Sequence, residues 1–162
     1  MKLRAAGRQD AQAIATIWNG YIRDTAATFT TAQKSAADVA GLIAARQSGG
    51  ACTFVADEAG ALVGFATAGA FRGGPGYRYT LEHSVLLAPQ ARGRGTGRAL
   101  MARLEAAAHA GGAHVLVAGV SGENAAGLAF HRAIGFETVG RMPQVGRKFG
   151  RWMDLVLMQK IL

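Results

Sequence analysis

The run Arg92-Gly93-Arg94-Gly95-Thr96-Gly97-Arg98 combines what an anion site needs. Gly93, Gly95 and Gly97 carry no side chain, so backbone N–H groups can approach a ligand closely. The helical pattern Ala99-Leu100-Met101-Ala102-Arg103-Leu104 follows and puts the positive end of a helix dipole behind the loop. Arg92, Arg94 and Arg98 add fixed charge and paired donors. The ligand implied is a phosphate. The spacing fits neither of two common nucleotide motifs: Gly93, Gly95 and Arg98 break Gly-x-Gly-x-x-Gly, and no Gly-Lys-Ser/Thr closes a P-loop. Proton-transfer candidates lie upstream in a strand-like run. Alternation there puts Leu81, His83, Val85 and Leu87 on one face and Glu82, Ser84 and Leu86 on the other. Glu82 is then either a solvated or salt-bridged strand residue or a general base. His83 has the better intrinsic pKa for such work, but its apolar face suits a core histidine.

Composition narrows the classes. With 162 residues, 50% of them hydrophobic, residues 1–162 are expected to form one domain. A net charge of +8 invites a nucleic-acid reading. However, Arg92, Arg94, Arg98 and Arg103 gather on one loop and helix start, the other basic residues are scattered, and there is no basic tail. That distribution favours a compact anionic ligand over a nucleic acid. No stretch approaches the roughly 20 apolar residues that span a bilayer, and Met1-Lys2-Leu3-Arg4 lacks the apolar core of a signal peptide. A cytoplasmic protein without a membrane partner is expected. The single cysteine, Cys52, excludes an internal disulfide framework, and no Cys/His cluster has ligand spacing, so no metal is expected.

The elements that must position these residues follow from periodicity and punctuation. Residues 3–5 read as a short strand. Asp10 caps a helix carrying Ile14, Ile17, Trp18 and Tyr21 at spacings of three and four. A second helix starts at Ser35, with Asp38 as an imperfect capping box, and ends near Arg46 before Ser48-Gly49-Gly50. Strands over 53–56 and 62–70 form a hairpin around Glu58-Ala59-Gly60. Arg72-Gly73-Gly74-Pro75-Gly76-Tyr77-Arg78 is a loop, and residues 80–87 are a strand. The helix after the arginine-glycine loop carries Leu100, Met101, Leu104 and Ala108 on one side and ends near Gly111. A buried strand spans 115–120, and Asn124 caps a helix running through Ile134 to Gly135. Strands over 136–141 and 152–161 finish the chain. The order β-α-α-β-β-β-α-β-α-β-β describes a mixed sheet with helices packed on it and at least one right-handed parallel crossover.

In this setting Arg92-Gly93-Arg94-Gly95-Thr96-Gly97 resembles the acyl-coenzyme A signature of the GNAT superfamily of N-acetyltransferases, Arg/Gln-x-x-Gly-x-Gly/Ala. It follows a strand, opens an amphipathic helix, and precedes Asn124 and Phe130-His131-Arg132-Ala133-Ile134-Gly135-Phe136, which look like the helix and strand closing that family's cofactor site. The likeness extends over nearly the whole chain. Trp18-Asn19-Gly20-Tyr21-Ile22, Thr80-Leu81-Glu82-His83-Ser84-Val85 and the run from Met142-Pro143-Gln144-Val145-Gly146-Arg147-Lys148 through Phe149-Gly150-Arg151-Trp152-Met153-Asp154-Leu155 resemble the phosphinothricin and methionine sulfoximine acetyltransferase branch.

The resemblance implies a mixed, mostly antiparallel α/β sheet of about seven strands with about four helices on both faces. It implies acetyl-CoA as co-substrate, a small amino acid acetylated on its α-amino group, and a homodimer. Glu82 matches the family's acidic residue and becomes the candidate base, directly or through one water. Val85, Leu86 and Leu87 match the strand whose backbone pairs with the pantetheine arm. The segment from Arg92 to Arg98 becomes the pyrophosphate site, and Asn124 a cofactor contact or a helix cap. His131 stands where many relatives carry a tyrosine acid, although a thiolate with pKa near 8.5 can leave unaided. Arginine suits a substrate carboxylate, which points to Arg72 and Arg78, with Phe29, Tyr77 and Tyr79 as pocket walls. Lys148, Phe149 and Trp152 can reach the site from the same or the partner subunit. Cys52 lacks an activating base, so direct transfer is expected. Other acceptors (a polyamine, an antibiotic amine, a protein N-terminus) and a non-catalytic acyl-CoA or nucleic-acid binder are the alternatives.

Overall fold

The computed structural model describes residues 1–49 and 51–162. Gly50, part of the glycine break expected after the second helix, lies outside them. The strands are β1 (Lys2–Ala5), β2 (Thr53–Glu58), β3 (Ala61–Ala70), β4 (Thr80–Leu87), β5 (Val115–Ser121), β6 (Glu137–Lys148) and β7 (Arg151–Ile161). The helices are α1 (Ala11–Asp24), α2 (Ala36–Ser48), α3 (Thr96–Ala110) and α4 (Ala125–Ala133). One sheet holds the seven strands in the order β1-β2-β3-β4-β5-β7-β6. All neighbours are antiparallel except β4 and β5, which are joined through α3 as a parallel pair requires. This is the α/β class expected, mostly antiparallel with helices on both faces.

Strand alternation divides the core in two. On one face Val55 and Phe65 pack with Ile14, Ala15, Val39 and Ile43 of α1 and α2. On the other, Ala66, Ala68, Leu116, Ala118 and Met158 pack with Leu100, Met101 and Leu104 of α3, with Leu128 and Phe130 of α4 against them. Two-residue turns with positive φ close the hairpins: Ala59 and Gly60 at 49° and 84°, Phe149 and Gly150 at 52° and 72°. Such primed turns match the twist of the flanking strands.

Two local expectations are corrected. Asp10 stands at the start of α1 but does not cap it: its carboxylate accepts from Arg4 Nη1 and Nη2 at 2.7 and 2.8 Å and from the Gly7 N–H at 2.7 Å. A two-pronged charged pair is stronger than a neutral cap bond, so Arg4 takes the carboxylate. The sixth strand does not stop at residue 141 but runs to Lys148, with three residues, 143–145, opposite Asp154 alone. Pro143 needs no ladder N–H inside that bulge. The Gln144 N–H donates to Asp154 Oδ1 at 3.0 Å and Arg141 Nε to Oδ2 at 2.8 Å, so the carboxylate replaces the missing rungs. The Ser35–Asp38 capping box forms in both directions, at 3.1 and 2.8 Å. Among the described residues no helix is long and apolar enough to cross a membrane.

Candidate active site

β4 and β5 pair only over Thr80, Leu81 and Glu82 with Val115, Leu116 and Val117. Beyond that point β5 keeps β7 as its neighbour through Ser121, and β4 keeps β3 through Leu87. The two strands therefore separate, and the free backbone edge of β4 faces a gap. That gap opens into a cavity of about 790 Å³, within the usual range of small-molecule sites. Val85, Leu86 and Leu87 line it on one side, and residues 118–121 on the other. Tyr21, the loop 25–30, Asn124, Gly127, Phe130 and His131 wall it, and Arg92, Gly93 and Gly97 stand at one end.

That end has the character of an anion cradle. Gly93 and Gly95 have φ of 71° and 83°, and an added Cβ would meet nothing within 4 Å. Backbone conformation, not crowding, therefore selects glycine there. Gly95 is the N-cap of α3 and offers no side-chain cap, whereas Ser35 caps α2 and Asn124 caps α4 through the Gly127 N–H at 2.9 Å. The first-turn N–H groups of α3 are thus left for a ligand. The Thr96 hydroxyl, buried in the same turn, also lacks a partner among the described residues. Arg92 Nη2 donates to the Tyr21 hydroxyl at 3.1 Å, while Arg94 is paired with Glu58 at 3.1 Å and Arg98 is exposed. A pyrophosphate fits this donor set of backbone N–H groups and guanidinium.

Glu82 reaches the cavity from the face covered by α1 and α2. Its Oε1 leans toward Gly119, where an added Cβ would stand only 3.2 Å away. Burial by the surrounding protein raises its carboxyl above the usual carboxylate range, and Arg46 pulls the other way. The Arg46 guanidinium rests on Gly69, the residue opposite Glu82 in the β3–β4 register. A second cavity, of about 240 Å³, lies here between Trp18, Lys34, Arg46 and Glu82.

On the opposite face His83 and His131 form a buried pair, Nε2 to Nε2 at 3.0 Å. His131 Nδ1 lies 2.7 Å from the Gly127 carbonyl, which only accepts, so that nitrogen carries the proton. Burial lowers the pKa of both rings, His83 to about 3. In the neutral pair His83 Nε2–H donates to His131 Nε2, and His83 Nδ1 has no partner among the described residues. His131 lines the cavity, yet in this arrangement its Nε2 holds a lone pair and has no proton for a leaving group.

Other sequence candidates are separated from the gap. Arg72, Arg78 and Tyr79 line neither cavity. Arg72 lies over the Phe71 and Tyr77 rings at 5.5 and 5.9 Å, and Arg78 is stacked on and bonded to Tyr79. Lys148 is buried, and its Nζ donates to the Thr25 and Thr28 carbonyls at 2.6 and 2.8 Å, so it pins the loop that walls the cavity. Phe29 lines the cavity and lies against Gly146, where an added Cβ would collide with its ring. The C-terminal hairpin thus supports the site from within the same chain.

Two residues acquire roles that sequence reasoning missed. Tyr21, placed by periodicity on the core face of α1, bonds the Leu87 carbonyl at 2.9 Å as well as Arg92, so it ties the end of β4 to the cradle. Its polar tip on an otherwise apolar stripe was the available signal. Arg46, read only as the end of a helix, stands beside Glu82.

Comparison with known proteins agrees with this geometry. Residues 3–157 match the model of the acetyltransferase (GNAT) domain. The L-methionine sulfoximine/L-methionine sulfone acetyltransferase of Salmonella typhimurium is 41% identical over 159 residues, 98% of this chain and 93% of that protein. The phosphinothricin N-acetyltransferase of Alcaligenes faecalis is 37% identical over 161 residues, 99% of this chain and 82% of that one. An acetyltransferase from Salmonella typhimurium, solved with its cofactor acetyl-CoA, superposes with a TM-score of 0.96 at 41% identity, covering 100% of this chain and 94% of that chain.

Proposed function

The chain belongs to the GNAT acetyltransferase family, and from that premise we propose that it transfers acetyl from acetyl-CoA to the α-amino group of a small amino acid of the methionine sulfoximine, methionine sulfone or phosphinothricin type. The observation that carries this is one carboxylate, Glu82, set beside a strand gap whose other end is an uncapped, arginine-flanked helix start.

The first turn of α3 with Gly93, Gly95, Gly97, Arg92, Arg94 and Arg98 would hold the pyrophosphate, the β4 edge at Val85, Leu86 and Leu87 the pantetheine arm, and the Asn124 amide a further polar group. Bound there, the thioester supplies the acetyl group. An α-amine titrates near 8, so most substrate arrives protonated at neutral pH. Glu82 accepts that proton, directly or through a water, and its raised pKa makes it a stronger base than an ordinary carboxylate. His131 takes no step, since a thiol with pKa near 8.5 leaves without an acid. Phe29 and the Lys148-pinned loop form the acceptor-side wall.

The same reading includes a homodimer. Val139, Met142, Val145, Phe149 and Trp152 are exposed on the β6–β7 hairpin, whose outer strand is a sheet edge. An apolar ribbon on a long edge is a surface that soluble proteins normally cover.

The test is thiol release from acetyl-CoA with methionine sulfoximine, methionine sulfone, phosphinothricin, spermidine, an aminoglycoside and a peptide with a free N-terminus. Turnover of the first three is expected. Turnover confined to the last three would reassign the acceptor, and acetyl-CoA binding without any turnover would make the chain a sensor.

A further inference from the structure

We infer that Arg46 clamps the α-carboxylate of the acceptor in the smaller cavity beside Glu82; the inference rests on the amino-acid acceptor proposed above. The two cavities share Trp18, Lys34, Glu82, His83 and Ser84. Glu82 therefore stands in the wall between the strand gap and a side pocket of about 240 Å³, a volume that suits the head of a small molecule and not a coenzyme. Two cations, Lys34 and Arg46, line that pocket against one acid, Glu82.

Arg46 is half-buried, and among the described residues its guanidinium makes no ion pair or side-chain hydrogen bond. Burial lowers its pKa, so it is a partly desolvated charge held ready for an anion. Lys34 is stationed over the Trp18 ring at 4.6 Å and adds to the positive field. The site is also shaped for the guanidinium: any Cβ at position 69 would coincide with Arg46 Nη1, and Gly69 faces Glu82 across the β3–β4 register.

An α-amino acid carries its amine and its carboxylate on one carbon. Bringing the amine to Glu82 thus brings the carboxylate within a bond or two, toward the neighbouring strand β3, where the Arg46 guanidinium of α2 rests on Gly69. A guanidinium there binds both carboxylate oxygens and fixes the amine's approach. Arg72 and Arg78, stacked on aromatic rings outside both cavities, are not so placed.

Methionine sulfone is compared with the amine it becomes on losing its carboxylate, in wild type, Arg46→Gln, Arg46→Lys and Gly69→Ala, with KM and kcat measured separately. Arg46→Gln is expected to raise KM for methionine sulfone by ~10- to 100-fold, the worth of a charge-assisted carboxylate contact. KM for acetyl-CoA and for the decarboxylated amine should not move. Arg46→Lys should recover part of the loss. Gly69→Ala keeps the charge but displaces the guanidinium, and should show the same carboxylate-selective defect in a folded protein. Equal rises in KM for both acceptors, or selectivity that survives in Arg46→Gln and collapses in Arg72→Gln or Arg78→Gln, would overturn the clamp alone. A wild type that acetylates no amino acid overturns the acceptor reading, and the clamp with it.

Discussion

At the scale of the residue, the strongest control lies in how protein surrounds a few ionisable groups. Glu82 is pushed toward its protonated form by burial and held back by Arg46. A base works only when ionised, so kcat/KM should rise with pH through a value above the ordinary glutamate range. Arg46→Gln should move that acid limb to still higher pH, because it removes the opposing charge. Glu82→Gln should keep acetyl-CoA binding and lose ~100-fold or more of turnover at neutral pH, the usual worth of a positioned base; near-normal turnover would remove Glu82 from the role. The histidine pair makes a separate prediction about stability. His83 falls to about 3 and His131 is also lowered, so acid protonates them in the unfolded chain before the folded one. Stability present above pH ~6.5 should then be lost as pH falls, at ~1.4 kcal/mol per pH unit for His83, with His131 adding to the loss in the same direction. Urea unfolding at pH 7 and pH 5 measures it, and His83→Gln, which still offers a donor to His131 but does not titrate, should flatten the slope by one proton.

At the scale of the element, what was readable in the chain was what local chemistry decides. The Ser35–Asp38 box, the period of α3 and the Ala59-Gly60 turn all form as their residues require. What escaped was decided by partners distant in sequence. The strand expected to end at residue 141 continues, because Asp154 holds residues 143–145 as a bulge and pairing resumes at Gly146. The glycines at 93, 95 and 97 were candidates through type and spacing and Glu82 through the family resemblance, whereas Arg46 and Gly69 became neighbours only when α2 folded over β3. Lys148 shows the same dependence: a lysine in a strand reads as a surface or substrate-facing charge, and here three carbonyls of α1 and its following loop, those of Tyr21, Thr25 and Thr28, absorb it. Lys148→Met keeps the chain's length but leaves those carbonyls without their donor. It should cost about 1–3 kcal/mol, speed hydrogen exchange across residues 25–30, and raise KM for the acceptor while KM for acetyl-CoA stays in place. A loss confined to acetyl-CoA would show that the loop serves the donor side instead.

At the scale of the whole molecule, the β6–β7 hairpin has two duties that pull against each other. Its inner surface, through Gly146 and Lys148, backs the loop that walls the cavity. Its outer surface exposes Val145 at 49%, Phe149 at 53% and Trp152 at 58%, on a sheet edge with open backbone groups. Left in water, that edge is free to twist and fray, and the loop would move with it. Pairing two hairpins across a dimer would bury the ribbon and stiffen the acceptor wall together, provided the interface reaches the ~1,200 Å² total that stable association needs. Val145→Asp with Trp152→Asp should therefore do more than shift the sedimentation of the proposed dimer to that of a monomer. Because the donor cradle lies at the far end of the strand gap, on α3, the split protein should keep its KM for acetyl-CoA while its KM for the amino acid rises several-fold. Diluting the wild type below its dissociation constant should reproduce the same one-sided loss. If the monomeric variant keeps both constants, the hairpin alone holds the loop, and the exposed ribbon serves another purpose than catalysis.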